Sequence, residues 1–414
     1  MFQKIFFTLF ATFFFVCAFA QVNTEFDKSI QKNRKGEIII TGEPGEIVKV
    51  IQQKHEFWFG SAISSGVFQE NSRMSETDKN IYKEKFQENF NSAVTENSVK
   101  WASMEMERGQ IDYKTTENIS DWAAKNNMPI RGHNLYWGID KFVQDWVKEL
   151  NNAELRETLK RRGIETAKQF KGRFTGYDLN NEMIHGNYYE KRLGDGITKE
   201  MASWVLEGDK NAKLWLNDYD ILTGNRLDDY LEHIRKLQKQ GVPIAGIGVQ
   251  GHLHGDSFTR EILKMSLDSL AQFSLPIKIT EFNLPGQRSK FYNKRTLEIT
   301  AEEEHQKAKD IVDYYTICFA HPSVEGILMW GFWAGANWIP QSSLYNRDWT
   351  PTPALKAYQK LIFNDWWTEV SVTLDEKGIA SVKAFYGEYK IVSGGKETIV
   401  SHKKKKGQTE VQIK

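Results

Sequence analysis

At 414 residues, 40% of them hydrophobic and 13% aromatic, the chain can bury the core of one large α/β domain with something small beside it. Its 55 basic and 54 acidic side chains nearly cancel. That neutrality leaves no electrostatic case for a nucleic-acid partner or an anionic membrane surface.

The first stretch differs from the rest. Lys4 is followed by an uncharged, largely apolar run from Ile5 to Phe19, closing with Ala18-Phe-Ala20 before Gln21. This is the pattern of a secretory signal peptide cleaved near Ala20, and the run is short for a membrane span of ~20 residues. The mature protein is therefore expected to be secreted, periplasmic or extracellular, with no membrane partner. Cys17 would leave with the leader, so no internal disulfide is expected, and Cys318, within a helical run, fits a buried apolar role.

Residues 36–53 alternate around Gly42-Glu-Pro-Gly45 and predict a β-hairpin, so residues 21–55 form a short N-terminal β extension. Then a rhythm begins. Strand Phe57–Ala62 precedes helix Asn71–Asn89, strand Ser92–Thr95 precedes helix Thr115–Asn126, and strand Pro129–Asn134 precedes helical runs Lys141–Leu150 and Glu154–Phe170. Strand Gly176–Asn180 leads to helix Thr198–Gly208, strand Lys213–Asn217 to helix Asn225–Gln240, and strand Ile244–Val249 to helix Thr259–Gln272. Strand Pro276–Thr280, helix Ala301–Ala320, strand Gly326–Trp330 and helix Ala354–Phe363 complete it. Strands alternating with helices argue for a parallel sheet, and their number argues for a closed (β/α)8 TIM barrel over residues 56–365. No glycine-rich phosphate loop follows any strand, which removes the main support for an open doubly wound sheet.

After Trp366-Trp367, alternating segments Val370–Leu374, Ile379–Phe385 and Glu388–Val392 predict a small C-terminal β module over residues 366–414. Its size is near the lower limit for a self-sufficient core, so it is expected to pack back onto the barrel, with the lysine run 403–406 as a solvated turn.

In such a barrel the strand tips face one bowl. They supply Glu96, Asn97, Lys100 and Trp101 after the second strand, His133, Asn134 and Trp137 after the third, and Asn181 and Glu182 after the fourth. Asn217, Asp218 and Tyr219 follow the fifth, Gln250, His252 and His254 the sixth, Glu281 and Asn283 the seventh, and Trp330, Trp333 and Trp338 the eighth. A polar floor with indoles on one side suits carbohydrate, whose hydroxyl rims hydrogen-bond and whose C–H faces stack on rings. Two glutamates at the tips of two strands, Asp178-Leu-Asn-Asn-Glu182 and Ile277-Lys-Ile-Thr-Glu281, are the minimum equipment for splitting a glycosidic bond. Glu182 is expected to be the acid/base and Glu281 the nucleophile, with His252 holding Glu281 ionised and Asn181 reaching a sugar hydroxyl. Two alternatives stand beside this: a metal-dependent hydrolase using His252 and His254, and an inactive carbohydrate-binding barrel.

These motifs, with Arg131-Gly-His133-Asn-Leu-Tyr-Trp137, Val94-Thr-Glu96-Asn97-Ser-Val-Lys100-Trp101, Asn217-Asp-Tyr219, Gln250-Gly-His252 and Met329-Trp-Gly331, resemble glycoside hydrolase family 10, the endo-β-1,4-xylanases. The resemblance runs from about Phe57 to Ile362. It implies a retaining, cofactor-free hydrolase of xylan or xylo-oligosaccharides, expected to be a monomer. It also implies that Glu96, Asn97, Lys100, Gln250, His252, Trp330 and Trp338 hold glycone-side sugars, with His133, Trp137 and Tyr219 among the substrate contacts. Gly138 departs from a histidine common after that tryptophan, which puts the neighbouring sugar subsite in question. The segment Gly331–Pro340 and the run Asn181-Glu-Met-Ile-His-Gly186 are more similar to a plant-like branch of the family.

Overall fold

The computed structural model describes residues 25–413. The leader expected over residues 1–20 lies outside them. Among the described residues no helix is long and apolar enough to cross a membrane.

Eight parallel strands close into a (β/α)8 barrel: Trp58–Ile63, Ser92–Thr95, Ile130–Gly132, Gly176–Asn181, Leu214–Asp218, Gly246–Val249, Ile277–Phe282 and Val324–Met329. The ring is continuous because the eighth strand pairs with the first, Gly326 opposite Trp58, and the third with the fourth, Arg131 opposite Gly176. A two-residue strand, Tyr136–Trp137, continues the third strand's pairing along the fourth. The fourth and seventh strands are buried at all six positions, as strands enclosed on both faces must be.

Near the N-terminal ends of the strands the interior is closed by Lys278, whose ammonium lies 4.0 Å from the Trp58 ring and 4.2 Å from the Trp215 ring. Burial lowers its pKa to about 7. The Trp215 indole needs a glycine opposite, since a Cβ on Gly246 would lie 2.3 Å from it.

Local signals start the helices where side chains can satisfy free N–H groups. Ser75 caps Glu76–Asn89 by accepting from the Asp78 amide, and Asn151 with Glu154 forms a capping box for Asn152–Gln169. The helix expected over 141–150 does not form as one piece. A 3-10 turn at Asp140–Phe142 and a short helix at Asp145–Lys148 are separated by extended Val143 and Gln144. The interruption accompanies a stack of Phe142 on Trp137, with centroids 3.7 Å apart.

A second compact unit contains the described residues up to Phe57, residues 313–322 and residues 361–413. Here the expected hairpin is corrected: Lys35–Thr41 and Ile47–His55 enter different sheets. The first lies between Ile379–Phe385 and Gln408–Gln412, and the second between Glu369–Thr373 and Gly387–Ser393, with Lys396–His402 beyond. The two ends of the chain thus share one core, in which Ile38, Ile40, Val48 and Val50 pack with Tyr389 and Ile391. Trp366 stacks on Phe319, with centroids 4.3 Å apart, and Cys318 beside it is fully buried, which raises its thiol pKa.

Candidate active site

The C-terminal ends of the strands surround a cavity of about 550 Å³. Of the residues expected there, Glu96, Asn97, Lys100, His133, Trp137, Glu182, Tyr219, Gln250, His252, Glu281, Trp330 and Trp338 line it. Asn181 does not form part of the wall. It is fully buried, its Oδ1 accepts from Asn217, and its Nδ2 has no hydrogen-bond partner.

Glu182 sits just past the fourth strand with φ at +58°, a left-handed conformation uncommon for a residue with a side chain. The turn is fixed from both sides. Its amide donates to the Asn217 carbonyl at 2.9 Å, and its carbonyl accepts from the His185 and Gly186 amides at 3.0 Å each. Its carboxylate accepts from Trp137 Nε1 at 2.8 Å and from Gln250 Nε2 at 3.0 Å. Burial pushes the pKa up, the negative fields of Glu281 and Asp218 add to it, and together they outweigh the two donors, bringing it to about 7. Asp218 is itself buried, accepting from the Ile184 amide at 3.0 Å and from His185 Nδ1 at 2.7 Å, and His185 stacks on Tyr219 at 3.5 Å.

Glu281 is held differently. His252 Nε2 lies 2.8 Å from one oxygen, and Asn217 Nδ2 donates to the other at 2.7 Å. Burial again acts upward, but His133, with Nδ1 at 3.8 Å, and the bonds from His252 and Asn217 overcome it and bring the pKa down to about 2. Burial drives His133 itself to about 3, so at neutral pH it contributes a ring dipole and not a charge. His252 and Asn217 therefore carry most of the effect. His133 is oriented by Asp178, 2.8 Å from its Nδ1, and Asp178 in turn pairs with buried Arg131.

Three supporting residues have no catalytic or sugar-binding role assigned from the sequence. Asn217 uses both amide hydrogens, one on Asn181 and one on Glu281, while its Oδ1 accepts from Thr280 at 2.6 Å. Asn283 faces His252 Nδ1 at 2.9 Å and is oriented by Trp338, whose indole N–H can only donate, at 3.0 Å. Tyr189 lines the cavity. Asn217 and Asn283 stood at strand tips in the sequence, but nothing there showed which way their amides point. Lys100 donates to Asn97 at 2.8 Å and lies 5.0 Å from the Trp137 ring.

His254, the other half of the metal alternative, is not in the cavity wall, and its ring packs edge-on against Phe258. Among the described residues no group of three His, Cys, Asp or Glu side chains could hold a metal ion.

Residues 47–361 match the model of glycosyl hydrolase family 10. The chain belongs to that family. It is 34% identical to anti-sigma-I factor RsgI6 of Acetivibrio thermocellus over 345 residues, covering 83% of this chain and 42% of that protein. It is 31% identical to endo-1,4-beta-xylanase 1 of Arabidopsis thaliana over 351 residues, covering 84% of this chain and 34% of that one. The chain therefore spans well under half the length of these two relatives. Among solved structures, native xylanase 10B from Thermotoga maritima matches with a TM-score of 0.65 at 25% identity, over 75% of this chain and 96% of that one.

Within the family 10 frame, the space beside Gly138 is taken by a tyrosine. A Cβ there would meet Tyr189 at 3.2 Å, so Tyr189 fills the place that a larger residue at 138 would need.

Proposed function

We propose that the chain is a retaining endo-1,4-β-xylanase that cleaves internal bonds of xylan by double displacement. One observation carries the reading: two buried glutamates line the same cavity, one poised near neutrality and the other held ionised. A retaining hydrolase needs that division.

In the first step a Glu281 carboxylate oxygen attacks the anomeric carbon while Glu182 passes its proton to the departing oxygen. The glycosidic C–O bond breaks as an ester to Glu281 forms. Esterification removes the Glu281 charge, and with it one of the fields raising Glu182, so Glu182 becomes readier to act as base. It takes a proton from water as the water oxygen attacks the same carbon, which frees the sugar and restores the Glu281 carboxylate. Trp330 and Trp338 offer rings to sugar C–H faces.

Reducing-sugar release and product size on xylan, carboxymethyl-cellulose and mixed-linkage glucan test the reading. Short xylo-oligosaccharides from xylan are expected. Activity confined to a glucan would overturn the substrate assignment, and inactivity on every polymer would overturn the enzyme.

A further inference from the structure

The cavity holding the two glutamates adjoins a second one, about 810 Å³ and polar, with Glu96, Asn97 and Ser103 in the walls of both. Two loops bring an arginine each to this second cavity: Arg73 after the first barrel strand and Arg347 after the eighth. Both are exposed, and among the described residues neither forms an ion pair with a carboxylate. Of the three acids in its wall, Asp78 accepts from Trp349 Nε1 at 2.9 Å and Ser75 at 2.7 Å, Asp112 accepts from the Lys114 amide at 2.8 Å, and burial pushes the Glu96 pKa up to about 7.

A guanidinium is a planar fork of N–H donors suited to a carboxylate, and two of them converging from loops far apart in the chain select for an anion. Serines 64, 65, 72 and 75 supply hydroxyls beside them, suited to the rim of a sugar ring. We propose that this cavity receives a uronic acid branch carried by the polysaccharide, its carboxylate bound by Arg73 and Arg347. The inference rests on the xylan-cleft reading of the first cavity, because the branch reaches the second only if the backbone passes Glu96 and Asn97. Arg347 also borders a third cavity, so Arg73 is the more specific probe.

The test compares three xylo-oligosaccharides of one length: unsubstituted, bearing a uronic acid branch, and bearing that branch with its carboxyl reduced to an alcohol. Wild type is expected to favour the carboxylate over the reduced branch by about tenfold in kcat/KM, the scale of one charge-assisted contact. The preference should shrink with added salt and collapse in Arg73→Gln and further in Arg73→Gln/Arg347→Gln. No preference in wild type, or a preference that survives in the double variant, overturns the inference alone. Failure of wild type to cleave any of the three overturns the xylanase reading and this inference with it. The wild-type comparison stands whether or not the variants fold.

Discussion

The tips of the fourth and seventh strands carry the same side chain in closely similar burial, Glu182 at 8% exposure and Glu281 at 4%, and each accepts two side-chain hydrogen bonds. Burial pushes both upward. One nevertheless stands at about 7 and the other at about 2. The number of donors cannot explain the gap; the identity of the neighbours does. Glu182 looks onto two other carboxylates, Glu281 and Asp218, while Glu281 looks onto His252, His133 and the Asn217 amide. Part of the Glu182 shift is thus made by Glu281, and the two sites behave as one device.

The largest expected effect comes from breaking the device at its ionised end. Glu281→Ala should lower kcat/KM on xylan by at least about four orders of magnitude with the far-ultraviolet circular dichroism unchanged. In Glu281→Gln, infrared titration should find the Glu182 pKa moved down, because the negative field raising it is gone. An unmoved Glu182 would break the comparison.

Glu182→Ala comes next. Hydrolysis of xylan should fall by about two to four orders of magnitude, while an aryl xylobioside with a good leaving group should form the glycosyl-enzyme nearly as fast as in wild type. The wild-type profile should also sharpen the point. The proposed mechanism requires Glu281 ionised and Glu182 protonated, so kcat/KM should hold between the two values and fall as pH rises through about 7. That alkaline limb should vanish in the Glu182 variant.

Smaller effects test the supports. Asn217→Ala removes a donor to the Glu281 carboxylate, worth about 1.5–3 kcal/mol, so kcat/KM should fall by roughly one to two orders of magnitude and the acid limb should move up. Trp137→Phe removes a donor that lowers the Glu182 pKa. The alkaline limb should move to higher pH by less than about one unit.

Both glutamates and most of the cavity wall were legible in the sequence because barrel strand tips share one face, so strand order alone brings them together. Asn181 was legible as a position but not as a buried group, since a period-two pattern does not say how deep a tip residue sits. Asn217 and Asn283 act through the direction of an amide, which has no sequence signal. The misread hairpin has another cause. Gly42-Glu-Pro-Gly45 is a sound local turn, but Ile38 pairs with Val382 and Val50 with Ile391, partners more than three hundred residues away that alternation cannot name. The expected helix 141–150 was lost to a tertiary contact, the Phe142 stack on Trp137, which outweighed a helical propensity worth only tenths of a kcal/mol per residue.

The division of labour is tested most directly by trapping the intermediate. A 2-deoxy-2-fluoro-xylobioside with a good leaving group should inactivate the enzyme, and peptide mass spectrometry should find one fluoroxylobiosyl group on Glu281. The label on Glu182, or no label together with products of inverted anomeric configuration, would contradict the account.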